Sequence, residues 1–349
     1  MRWREDGILK DARITVIGRC DERDPLRFFW VGSGVTLAAR VKALAAVIEA
    51  DWTTQTPWLS VTLDAAPVTR LPLRRGRHHY LLLDGMDGER PHRIGVVRDT
   101  QPMEDDARQL VRLCSLQLAG EILPREERRR IEFIGDSLTS GEGLAGPMKA
   151  AEWRSVYMSG GPTYAARVCT LLDAVGEWVS QSGWGVVSDW TGDRRHTLPG
   201  IYEEVCALQA EGRIPYDFSA HPVDAVVVNL GTNDMSALNA LPVEEREARS
   251  AEIVTSVRAF CERIRFLRPG VPILWVCGMC GGGINGLLRQ GVETAARALS
   301  DSRIAFLPLP ACPQEALGSL GHPGPASHRE CAALIAAKLK ELIENLRGM

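Results

Sequence analysis

No stretch of this 349-residue chain reaches the roughly 18 consecutive apolar residues that a membrane-spanning helix needs. Excess positive charge is missing too. Lys and Arg number 41 against 44 Asp and Glu, a net charge of −3, so no basic field exists to gather nucleic acid or an anionic membrane. The opening residues Met1 to Gly7 mix both charge signs and contain no apolar core, so no secretory leader is expected and a cytoplasmic location is. Nine cysteines, an odd number scattered along the chain, do not make a disulfide framework and read as reduced thiols. The one CxxC, Cys277-Gly278-Met279-Cys280, has no second ligand pair at zinc spacing. It reads as small residues ending a buried strand, and no metal is expected. Internal repeats and low-complexity segments are also lacking.

The length allows a large core and two domains. Residues 8 to about 123 lack long helical periodicity and offer short β-rich pieces instead. These are Arg13 to Ile17, Arg27 to Val31, Gly34 to Leu37, Ala45 to Ala50, Trp58 to Leu63, His78 to Leu83, Arg93 to Val97 and Cys114 to Leu123. Turn chemistry such as Asp84-Gly85-Met86-Asp87-Gly88 punctuates them, which predicts an all-β sandwich. Val41 to Ala50 suits a helix equally well, because of its alanines. The charged run Pro124 to Arg130 reads as a solvated boundary, giving expected domains 1–124 and 125–349.

From residue 131 the texture changes. Ile131–Ile134, Glu177–Ser180, Ala225–Leu230, Ile273–Cys277 and Ile304–Leu307 read as buried strands. Between them, Pro162 to Leu172, Pro242 to Leu267 and Gly286 to Leu299 are apolar at helical spacing, and a helix over Ala326 to Leu346 closes the chain. That alternation predicts a three-layer α/β/α domain around a parallel five-stranded sheet.

Each of four strand ends is followed by residues that can do chemistry. Gly135-Asp136-Ser137 follows the first, Gln181-Ser182-Gly183-Trp184-Gly185 the second, and Gly231-Thr232-Asn233-Asp234 the third. Gly321-His322-Pro323 comes after the fifth. Parallel strands joined by right-handed crossovers bring these ends to one rim. Taken singly each has a plainer role: Ser137 or Asn233 as a helix cap, Gly183 as a turn residue, His322 as a loop hydrogen-bonder. Taken together they suit acyl transfer. Histidine can deprotonate serine near neutral pH, and the Ser137 N–H, the Gly183 N–H and the Asn233 amide can meet an oxyanion.

These blocks resemble the four signatures of the SGNH (GDSL-like) hydrolase superfamily. The chain is most similar to carbohydrate esterase family 2, whose members join a jelly-roll sandwich to an SGNH domain. Arg130-Ile131-Glu132-Phe133-Ile134-Gly135-Asp136-Ser137 and Asp217-Phe218-Ser219 support the closer match. The resemblance implies a serine esterase that removes acetyl groups from acetylated saccharides, with Ser137 and His322 catalytic and Ser137, Gly183 and Asn233 forming the oxyanion hole. No metal or organic cofactor, nucleic acid or membrane partner is implied, and the oligomeric state stays open. A carbohydrate-binding protein with little turnover, or an esterase on a lipid, thioester or other non-sugar ester, are the alternatives. Substrate contacts are expected from Asp136 and from Trp184, backed over Trp190 as the indole lining the pocket.

One position departs from the pattern. The superfamily usually places an aspartate three residues before the histidine, where this chain has Ser319. A backbone carbonyl or the Ser319 hydroxyl is expected to orient the ring instead, as in the Ser–His dyads of some family members. Glu315 is a weaker candidate, and His328 is assigned a structural place at the start of the closing helix.

Overall fold

The computed structural model describes residues 8–150 and 152–344. They form two compact units. The first takes residues up to Arg128 together with Arg154–Val156 and Glu204–Tyr216; the second takes the rest. The unit boundary thus falls between Arg128 and Arg129, and two short segments from beyond that boundary join the first unit.

The first unit is antiparallel throughout and organised by one 18-residue strand, Gly34–Asp51. Its first half pairs with Pro91–Arg98, and its second half pairs with Leu110–Ile122 and Gly76–Leu83. Register shifts at Val41/Ala43 and Leu44/Ala45 mark β-bulges, which sharpen the local bend of a strand. One strand therefore serves both layers of the sandwich. Side chains from both halves, Val35, Leu37, Leu44 and Ile48 among them, enter a single hydrophobic cluster with Leu59, Ile94, Val96, Leu113 and Leu118. The helical alternative for Val41 to Ala50 is not taken. Ala43, Leu44, Ala45 and Ala46 are all buried, and small residues suit a strand covered on both faces. The strand Ala66–Pro72 was not anticipated from the sequence; among the described residues it pairs only with Trp58–Leu63, and its mostly exposed side chains and two prolines give no alternating pattern.

In the second unit all five expected strands form, as Arg129–Gly135, Ala174–Ser180, Ala225–Asn229, Ile273–Cys277 and Ile304–Pro308. They are parallel and lie in spatial order 2-1-3-4-5. Helices Tyr164–Leu171 and Pro325–Glu344 supply Tyr164, Val168, Cys331, Ile335 and Leu339 to a core with Ile131, Phe133, Val227 and Leu274. Helices Val243–Leu267 and Asn285–Ala298 bury Ile253, Val257, Phe260, Leu288 and Val292. Phe260 and Trp275 meet in a T-shaped contact with ring centroids 6.3 Å apart. Strand order reverses between the first and third strands, and in open sheets of this kind the crevice beyond the carboxyl ends at the reversal is where ligands bind. Those two strand ends lead into Ser137 and Asn233.

Candidate active site

The first strand runs straight into a one-turn helix, Ser137–Ser140. Asp136 is its N-cap: the carboxylate accepts a hydrogen bond from the Leu138 N–H at 3.0 Å. Ser137 therefore occupies the first helical position, where its own N–H has no intrahelical acceptor. Asp136 is fully buried, so the substrate contact expected of it is corrected. It supports the turn from beneath. Burial pushes its carboxyl up to about 7, with the nearby acids Asp234 and Glu142 adding to the rise.

The histidine loop returns across this turn. His322 Nε2 lies 3.0 Å from Ser137 Oγ. The loop is tied down by backbone: the Ser319 N–H donates to the Gly143 carbonyl at 3.0 Å, and the Gly318 N–H to the His322 carbonyl at 2.7 Å. Gly143 has φ +80°, and a Cβ there would sit 2.9 Å from His322 Cβ and 2.6 Å from the Ser319 oxygen. Only glycine lets the two loops approach this closely.

Of the two expected orienting groups, the backbone carbonyl is the one near the ring. His322 Nδ1 lies 3.3 Å from the Leu320 oxygen. Ser319 points elsewhere, its hydroxyl donating to the Pro147 carbonyl at 2.6 Å. Glu315 is exposed on a short 3₁₀ turn. Leu320 itself adopts φ 59°, ψ 26°, a left-handed conformation uncommon for a residue with a Cβ. That choice was invisible in the sequence. His328 lies in the closing helix, fully buried, and its Nδ1 accepts the Tyr164 N–H at 2.9 Å. Burial and the Arg167 charge lower its pKa to about 3, so it stays neutral.

Asn233 and Asp234 open the helix Thr232–Ala240 and hold the glycine loop. The Asn233 amide nitrogen donates to the Trp184 carbonyl at 2.8 Å and lies 3.5 Å from Asp136 Oδ2. The Asp234 carboxylate accepts from the Val186 and Val187 N–H groups, at 2.9 and 2.8 Å at the shortest, and from Ser188 at 3.4 Å. Its carboxyl is raised by burial. Gly183 has φ +81°, and among the described residues nothing accepts a hydrogen bond from its N–H. The structure thus brings Ser137 and His322 into direct contact and ties Asn233 both to the loop carrying Gly183 and to Asp136.

The two indoles exchange the places expected of them. Trp184 is only 5% exposed, and the His196 ring stacks on it with centroids 5.0 Å apart. That face is taken by protein, so Trp184 is packing. Trp190 is 61% exposed; its backbone N–H donates to the Gly183 carbonyl at 3.0 Å, and its indole edge covers the Gly183 turn. Their distance from Gly183 in sequence, one residue against seven, pointed the wrong way. Sequence reasoning also passed over Glu142, whose Oε1 lies 3.7 Å from His322 Nε2.

A 2-1-3-4-5 sheet whose carboxyl rim gathers serine, glycine, asparagine and histidine is the arrangement of the GDSL-like hydrolases. A model of the GDSL-like Lipase/Acylhydrolase family matches residues 133–330, and the chain belongs to that family. It is similar to a solved acetyl xylan esterase, Est2A, from the rumen bacterium Butyrivibrio proteoclasticus. The two share 30% identity and a TM-score of 0.91, over 97% of this chain and 98% of that one. It is also similar to an acetylxylan esterase/glucomannan deacetylase of Cellvibrio japonicus, 26% identical over 233 residues, covering 65% of this chain and 62% of that protein. A cellulase/esterase, CelE, of Acetivibrio thermocellus is 24% identical over 338 residues, covering 93% of this chain and 39% of that protein. The chain therefore spans less than two thirds of the length of either curated relative. The resemblance read from the sequence holds, and solved family-two carbohydrate esterases share the fold.

Proposed function

We propose that the chain is a serine O-acetylesterase acting on acetylated saccharides. The observation that carries this is the 3.0 Å contact between His322 Nε2 and Ser137 Oγ at the reversal point of the sheet. The Ser137 oxygen attacks the acetyl carbonyl carbon as its proton passes to Nε2, and the carbonyl π pair moves onto oxygen. The Ser137 and Gly183 N–H groups and the Asn233 amide meet that charge, and the grip of Asn233 on the Trp184 carbonyl supports their being fixed in advance. Collapse breaks the bond to the sugar oxygen, which takes the proton from His322. Water then attacks the acetyl-serine with the same proton relay, releasing acetate.

The similarity to an acetyl xylan esterase and to a glucomannan deacetylase supports a sugar acetate as substrate. The exposed indole of Trp190 beside the Gly183 turn supports a sugar ring stacked there, since an aromatic face suits the apolar side of a pyranose. Nine cysteines with none bonded to another support a reducing compartment such as the cytoplasm.

Acetate release from acetylated xylose and p-nitrophenyl acetate tests the reading. Ser137→Ala is expected to remove turnover to background, and a fluorophosphonate is expected to label Ser137 in the parent protein. An unchanged rate in the variant sinks the mechanism.

A further inference from the structure

The turn Gly141-Glu142-Gly143 carries a carboxylate that none of these steps uses. Glu142 Oε1 stands 3.7 Å from His322 Nε2, the same nitrogen that meets Ser137 Oγ. Its side chain is 9% exposed, and among the described residues no N–H or O–H donates a hydrogen bond to it. A buried carboxylate without donors is costly unless a cation meets it. The backbone of the turn is secured separately: the Glu142 N–H donates to the Ser137 carbonyl at 3.0 Å, and the Gly143 carbonyl accepts from Ser319. Nothing in the shape of the turn requires the acid.

We propose that Glu142 is the counter-ion of the imidazolium that His322 becomes, a positioning residue acting through the histidine. The inference rests on the dyad reading above. When Nε2 takes the Ser137 proton, the ring gains a full positive charge, and among the described residues the only partner at Nδ1 is the uncharged Leu320 carbonyl. Glu142 meets the charge at the other nitrogen. Its attraction to a neutral ring is small and to a charged ring large, so it favours the transition state over the resting enzyme. The remaining ionisable neighbours do not supply this. Asp136 lies buried under Ser137 as the helix cap, Asp234 is spent on three backbone N–H groups, and His328 is neutral.

Glu142→Gln keeps the shape and removes the charge. On p-nitrophenyl acetate and acetylated xylose, kcat is expected to fall about 10- to 100-fold with KM within about twofold and an unchanged melting temperature. Glu142→Asp is expected to recover part of kcat. A raised KM with kcat intact would mean that Glu142 contacts the sugar, and overturns the proposal; so does a kcat equal to that of the parent. If Glu142→Gln melts below the assay temperature, the neutral variant Glu142→Ser takes its place, and a parental kcat there is the overturning result. Ser137→Ala run in parallel separates the two readings. Turnover that survives it removes the dyad, whereas turnover lost there but untouched by Glu142→Gln removes only the counter-ion.

Discussion

At the scale of single residues, the site works with a neutral orienting group where related hydrolases use a carboxylate. Restoring the acid by Ser319→Asp is expected to fail. The Ser319 hydroxyl donates to Pro147, and a carboxylate in its place would set acceptor against acceptor in a buried position. Leaving such a group unsatisfied costs about 1–3 kcal/mol. The variant is therefore expected to melt several degrees lower with no gain in kcat, and a higher kcat would show that the side chain can swing to the ring. Ser137, Gly183, Asn233 and His322 were legible because each residue type is scarce in its role and falls at a strand end. Leu320 and Glu142 were not. A carbonyl oxygen belongs to every residue, and which one faces the imidazole depends on a left-handed φ that no leucine announces. Glu142 reads in sequence as one more surface acid, and only the loop closure across Gly143 puts it beside the ring.

At the scale of elements, two helix starts carry titrating groups that pull stability in opposite directions. Asp136, capping the helix at Ser137, has a carboxyl raised by burial from 3.8 to about 7. Between those values the native state keeps a proton that the unfolded chain has lost, so stability falls as pH rises through the window. His328, in the first turn of the closing helix, is depressed by burial from 6.5 to about 3. There the unfolded chain binds the proton, so stability falls as pH drops from 6.5 toward 3. Melting curves of Asp136→Asn are expected to gain on the parent steadily from pH 4 to 7, and those of His328→Gln to flatten the decline below pH 6.5. Parallel curves for parent and variants would show that neither group is displaced. The strands of the parallel sheet were plain in the sequence because each is an unbroken apolar run buried on both faces. The antiparallel unit was harder to read. Gly34–Asp51 looked like two strands and a doubtful alanine-rich middle, since bulges and two-sided burial erase alternation, and Ala66–Pro72 buries too little to leave a pattern.

At the scale of the whole molecule, the sequence shows where composition changes but not that the chain crosses back. Glu204–Tyr216 joins the first unit, where the Val205 carbonyl accepts from the Trp30 indole at 2.6 Å and the Glu204 carbonyl from Arg19 at 3.0 Å. Trp30 and Arg19 are both fully buried. No local motif encodes such a return; it is a matter of long-range packing. Dividing the chain between Pro124 and Arg125 is expected to yield two insoluble pieces, judged by soluble expression of residues 1–124 and 125–349 separately. A well-dispersed NMR spectrum from residues 1–124 alone would show the returning segment to be dispensable. Growth on the ribosome brings the same dependence into time. Multidomain chains generally complete their N-terminal domain first, but here the first unit includes a segment that is not translated until Tyr216. The nucleophile strand and the oxyanion loop emerge before the older half of the polypeptide can finish folding.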